Sequence, residues 1–230
     1  MKIQLEVPAS LSEISLGQYQ RYMKIVDQND EDAIDFINKK LIEIFCDISL
    51  VEVDKIPVKE VDKVTEVLQE AFAEKPSLIR HFKLLDVDMG FIPKLDDISL
   101  GEYVDLENNI SDWQKIHKAM AVLFRPVNYR QKDKYTIAPY KPSDDVSELM
   151  KEMPMDVAMG AMVFFYDLGM ELSTATLNFT VDQLKNNQEL TLQQRETLAR
   201  SGDGINQYMQ SLEEMSSNLT KLQNRVYSSV

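Results

Sequence analysis

Little in this chain is of the kind that catalysis or nucleic-acid binding is built from. It has a single cysteine, Cys46, so no internal disulfide can form. The setting Ile44-Phe45-Cys46 marks that thiol as a small buried hydrophobe rather than a reactive nucleophile. Its two histidines, His81 and His117, each lack a second ligand at metal spacing, which points away from a metal centre. Seven glycines leave no Gly-rich phosphate loop, and neither a serine nucleophile elbow nor a Cys/His pair occurs. No apolar run reaches the ~18 residues of a membrane span, and the start MKIQLEVP is unlike a signal peptide. A reducing cytoplasm and no membrane partner are the expectation.

Positive charge is also short. The chain has 25 Lys and Arg against 38 Asp and Glu, a net charge of −13 and a pI near 4.6. That balance argues against a surface that tracks phosphates, so nucleic acid is not an expected partner. With so many acids, no pair of carboxylates is informative for general acid–base chemistry. The chain therefore reads as non-enzymatic, without metal or cofactor.

What is present is an ordinary globular balance, 44% apolar and 27% charged over 230 residues. The clearest signal is a repeat: Glu13-Ile-Ser-Leu-Gly-Gln-Tyr19 and Asp97-Ile-Ser-Leu-Gly-Glu-Tyr103 differ only by acid for acid and Gln for Glu. Ser15 with Gln18, and Ser99 with Glu102, form capping boxes, so each copy starts a helix. Ile14 and Ile98 stand at the staple position. Ser49 with Glu52 is a weaker third box. Duplication of one unit and convergence on a good cap both fit these similarities.

Periodicity supplies the remaining elements. Residues 2–7 alternate as a short strand ended by Pro8, and helices are expected over 15–26, 31–46 and 58–72. Residues 81–85 and 89–93 flank an acidic turn at 86–88 and read as a β-hairpin. Ser111-Asp112 is expected to cap a helix whose stripe Trp113, Ile116, Met120, Leu123 and Phe124 ends at Pro126. Residues 128–142 read as a second, exposed ribbon or loop and form the one basic patch, with Tyr129, Arg130, Lys132, Lys134 and Tyr135. It is either a solvated hairpin or a contact surface. From Pro154 to about Leu172 the chain is apolar all round, the pattern of a central buried helix.

Beyond Thr180 the composition turns rich in Gln and Asn, with capping boxes at Thr180/Gln183 and Thr191/Gln194 and a break at 201–204. Ile205, Tyr208, Leu212, Met215, Leu219, Leu222 and Val226 fall at a and d of three heptads. This coiled-coil-like segment, 205–226, wants a partner: the chain's own helix 191–200, a second copy, or another protein. The tail carries six acids against five bases, which leaves −12 of the −13 on residues 1–179. The expected organisation is a compact acidic domain over 1–179 and a helical extension over 180–230. The fold class is α+β, mainly helical, with short β-hairpins around a buried central helix.

Ile98-Ser-Leu-Gly-Glu-Tyr103, Asp112-Trp113, His117-Lys-Ala-Met-Ala-Val-Leu-Phe-Arg-Pro126 and Pro154-Met-Asp-Val157 together resemble a group of small acidic proteins encoded among the morphogenesis genes of tailed bacteriophages. The resemblance covers residues 1–179 and its motifs are structural, so it transfers no catalytic residue. It implies a virion component near the portal, tail or packaged cargo, or a tail-assembly chaperone absent from the mature particle. Its partners would be other phage structural proteins or a second copy of the chain, met in the host cytoplasm during assembly or in the virion.

Overall fold

The computed structural model describes residues 5–29, 33–132, 134–186, 191–194, 196, 197, 199–203, 205, 206, 209, 210 and 213. The fold is mainly helical α+β, with one small antiparallel sheet. Helix α1 (Leu16–Gln28) starts at the first capping box, where Gln18 N–H donates to Ser15 Oγ and Ser15 N–H to Gln18 Oε1. Helices α2 (Ile34–Phe45), α3 (Leu50–Val53) and α4 (Val58–Phe72) follow. Their apolar stripes close on α1, burying Tyr22, Ile37, Leu41, Phe45, Leu68 and Phe72. The ring of Tyr19 lies 4.8 Å from Trp113, and Phe45 lies 5.1 Å from Phe72, edge to face.

Strands β1 (His81–Leu84), β2 (Val87–Phe91), β3 (Phe124–Gln131) and β4 (Lys134–Ile137) form a single sheet in that order. The two expected hairpins are thus halves of one meander, joined because Gly90 and Phe91 of β2 pair with Arg125 and Phe124 of β3. Between β2 and β3 the chain makes a 3-10 turn (Leu95–Asp97), α5 (Leu100–Ile110) and α6 (Ile116–Leu123). After the sheet come α7 (Asp144–Leu149), a 3-10 turn (Met150–Glu152) and α8 (Met155–Asn186).

Several expectations are corrected. The described residues 5–9 form no strand, although Leu5 and Val7 pack on the core. The first hairpin turns at Leu85-Asp86, since Leu84 pairs with Val87; Leu85 takes a positive φ of 53°. Trp113 precedes α6 instead of opening it, because Asp112 Oδ1 accepts from Gln114 N–H and closes a local turn. Helix α6 also ends at Leu123. A residue before proline is driven to extended backbone, so Pro126 acts upstream of itself and Phe124 and Arg125 are already strand.

Helix α8 departs furthest from expectation. At 1.5 Å per residue its 32 residues span about 48 Å, longer than the core it enters. Its buried apolar side chains lie in its first turns, from Met155 to Met162 with Asp156 half-buried; farther along Ser173 and Thr180 are buried while Leu172 and Phe179 are exposed. It passes Thr180 without a break. Thr180 Oγ1 donates to the Thr176 carbonyl 2.9 Å away rather than capping a new helix. The box at Thr191/Gln194 does form. The expected break at 201–204 does not hold for Ser201, Gly202 and Asp203, which are helical.

Candidate functional site

The basic ribbon is the candidate interaction surface. β3 pairs with β2 only as far as Pro126, and from Val127 onward its sole strand partner is β4. A register shift between Val127 and Tyr129 twists the ribbon, and Lys132, with φ 54°, turns it. Arg130, Gln131, Lys132 and Lys134 are exposed, and Tyr129 is 58% exposed, its hydroxyl donating to Gln131 Oε1 at 3.1 Å.

Tyr135 has a different job from the one its composition suggested. Its hydroxyl donates to the Phe91 carbonyl at 2.7 Å, and its ring stands edge-on to His81, 4.3 Å between centroids. It lies over Gly90, where an added Cβ would come within 2.9 Å of Val127 Cγ2 and 3.0 Å of Tyr135 Cε2. Gly90 is therefore the notch that lets the ribbon seat on β2, and Tyr135 is its anchor.

Neighbouring strands widen the patch. Burial, then Arg130 and Arg80, hold the His81 imidazole below its ordinary pKa. His81 therefore faces the ribbon as a neutral ring at neutral pH. A groove of about 420 Å³ runs along His81, Lys83, Asp88, Val127, Tyr129 and Arg130. Its lining brings imidazole, phenol, ammonium, carboxylate and guanidinium groups to one surface.

Two buried polar clusters elsewhere, around Gln20 and around Glu102, tie structural elements together. Gln20 Nε2 donates to the Trp113 carbonyl at 2.7 Å and faces His117 Nδ1 at 3.0 Å. Nδ1 must then accept, so the imidazole proton sits on Nε2, 3.4 Å from Glu148 Oε1. Burial first, and Lys151 next, lower the His117 pKa despite Glu148. Glu102 accepts from Ser99 N–H, Ser99 Oγ and Arg125 Nη1 at 2.7, 2.6 and 2.8 Å, and Tyr140 donates to Asp105 at 2.6 Å. Cys46 is buried, which pushes its thiol up to about 11. Among the described residues no group of three His, Cys, Asp or Glu is placed to hold a metal ion, and no helix is long and apolar enough to cross a membrane.

Of the heptad positions, Ile205 is half-buried, while Tyr208, Leu212, Met215, Leu219, Leu222 and Val226 lie outside the described residues. Nearby, Gly202 is buried, and a Cβ on it would meet Leu177 Cδ1 at 3.6 Å, so this part of the tail lies against α8. Sequence reasoning missed one surface. Leu16 and Tyr19 are wholly buried, but their counterparts Leu100 and Tyr103 are 78% and 51% exposed. The shared Ile-Ser-Leu-Gly-x-Tyr pattern carries no signal of that difference, which depends on what packs above each copy. Comparison with protein-family models, with curated proteins and with solved structures finds no match.

Proposed function

We propose that this chain acts by binding other proteins, as a morphogenesis protein of a tailed bacteriophage, seated in the particle near the portal or tail. The observation that supports this is the anchored ribbon. Tyr135 fixes it to the sheet, and it holds Tyr129, Arg130, Lys132 and Lys134 outward on a body whose net charge is strongly negative. Aromatic and arginine side chains on a preorganised strand are the groups that dominate protein interfaces.

The test is affinity purification of the full chain from infected cells, compared with a Tyr129→Ala/Arg130→Glu/Lys132→Glu variant. The variant is expected to keep its melting temperature and lose its co-purifying partner. An unchanged partner set would overturn the assignment of the ribbon. Mass spectrometry of purified particles then decides location, a fixed copy number being the expected result.

A second reading, a tail-assembly chaperone absent from the particle, draws on α8. Its exposed Leu172 and Phe179, with the half-buried Met170 on the same helix, offer adaptable apolar surface for an aggregation-prone client. Under that reading the protein is missing from particles, and co-expression keeps a tail protein in solution.

A further inference from the structure

The two Ile-Ser-Leu-Gly-x-Tyr copies share their local structure and differ in what lies over them. In the first, the link from the 3-10 turn Met150–Glu152 into α8 crosses the helix start, extended at Met153 and bridging at Pro154. Leu16 N–H donates to the Met153 carbonyl at 2.9 Å, Met155 N–H donates to the Ile14 carbonyl at 2.8 Å, and Ser15 bridges Pro154 antiparallel. Pro154 loses nothing there, because the pairing uses the carbonyl before it and the amide after it. Gly17 lies so close that an added Cβ would stand 3.1 Å from both Cβ and the carbonyl oxygen of Lys151. Ile14, Leu16, Tyr19, Met153 and Met155 are all buried.

In the second copy the same positions are open. Leu100, Tyr103 and Val104 are exposed, nothing lies within 4 Å of a Cβ built on Gly101, and among the described residues Leu100 N–H and the Ile98 carbonyl have no backbone partner. The cap beneath is intact, with Ser99 and Glu102 bonded as Ser15 and Gln18 are. The far side of α5 is held by Leu106 in the core, by the Glu102–Arg125 pair and by Tyr140 on Asp105. So the open face is fixed in its outward orientation.

We infer that residues 98–104 are a docking site for an extended segment of a partner protein, of the same chemistry as residues 151–155: apolar–Pro–apolar, preceded by a basic residue. The extended form supplies a carbonyl and an amide to the Leu100 N–H and the Ile98 carbonyl, as in strand addition. The apolar residues cover Leu100 and Tyr103. The basic residue, at the place Lys151 holds over Gly17, is favoured by the exposed Asp96, Asp97 and Glu107 beside the open copy. A second copy of this chain does not supply the segment, since its own Met153 and Met155 are already buried on its first site. The inference uses a different surface from the ribbon and stands apart from the phage reading.

The probe is a fluorescein-labelled peptide with the sequence of residues 148–160, titrated into the full chain and followed by anisotropy. Saturable binding is expected, weakened at least about tenfold by Leu100→Glu and by Gly101→Gln, and absent for a peptide in which both methionines flanking the proline are aspartate. Gly101→Gln enters open space and improves helix propensity, so its melting temperature shows that the fold is intact. No saturable binding to the wild-type chain overturns the inference. So does binding equally tight in both variants, which would mean exchange into the first copy. Self-association in sedimentation that Gly101→Gln abolishes would give the surface to a second copy and overturn the assignment to another protein.

Discussion

Glu102→Gln turns the second capping box into a copy of the first and shows what the one difference between them does. Gln18 serves its box by accepting from Ser15 N–H, while its Nε2 donates to the Ile44 carbonyl at 3.0 Å. Glu102 instead faces Arg125, and a glutamine there keeps the bond from Ser99 but turns an NH2 toward a guanidinium. Two unit charges 2.8 Å apart attract by roughly 6 kcal/mol at an effective dielectric of 20. Desolvation of two largely buried groups offsets most of this, and removing one partner of a buried pair costs about 3–5 kcal/mol. The bonds kept to Ser99, and the Tyr140 ring 6.0 Å from the guanidinium carbon, place the variant near 2–3 kcal/mol. Urea denaturation of wild type, Glu102→Gln, Arg125→Gln and the double variant measures the coupling. The acid limb adds a second readout. Burial raises the Glu102 pKa, but Ser99 and Arg125 outweigh it and hold the carboxyl below its ordinary range. The native state then binds fewer protons than the unfolded one, so this stability is complete above the unfolded carboxyl value of about 4.3 and is lost as pH falls through the folded value. The variant lacks that part of the acid slope. A coupling under about 0.5 kcal/mol, the level of an exposed pair, would refute the reasoning.

The glycines of the two copies are expected to respond with opposite sign. Gly17→Ala meets Lys151 and destabilises by about 1–3 kcal/mol, while Gly101→Ala meets nothing and stabilises by up to about 1 kcal/mol. Chemical denaturation that moved both the same way would contradict the packing. The Tyr19 hydroxyl is buried with no hydrogen-bond partner among the described residues, so Tyr19→Phe is expected to raise stability by about 1 kcal/mol, read from the urea midpoint. His117 has a folded pKa below its unfolded value of about 6.5. Its contribution is therefore full above that pH and declines below it, and melting curves from pH 8 to 5 are expected to fall less steeply in His117→Gln.

Capping and periodicity made much of the helical frame legible. Ser15, Ser49 and Ser99 each start a helix where the box says, and the 58–72 stripe matches its helix, because these instructions are local. Strand pairing is not local. Nothing within 81–93 or 124–137 says that the two hairpins share a sheet; Gly90 decides it by leaving room for Val127, Tyr135 and Ile137. The apolar run from Met155 was legible as helix but not as a helix that outruns its core, since hydropathy cannot tell how far the neighbouring elements reach. In the ribbon, Tyr129, Arg130, Lys132 and Lys134 are exposed as a contact surface requires. Tyr135 looked equivalent and is an anchor, because a tyrosine's role depends on whether its hydroxyl finds a buried carbonyl.

The same limit bears on the two surfaces proposed for partners. Hexapeptides that differ only at Gln18 and Glu102 became one filled site and one open site because only the first has residues 151–155 folded across it. The open copy is tied through Glu102 to Arg125, and Arg125 lies on β3, the strand whose far end is the basic ribbon. Two exposed surfaces are thus carried by one strand and the helix bonded to it. Each is small, and a short strand-addition site or a rim of exposed charges binds weakly alone. A partner that reaches both makes its second contact at the effective concentration set by the first, and affinities that are weak singly then multiply. On that arithmetic a variant in either surface weakens a full-length partner more than it weakens an isolated peptide, because it removes the avidity along with the contact.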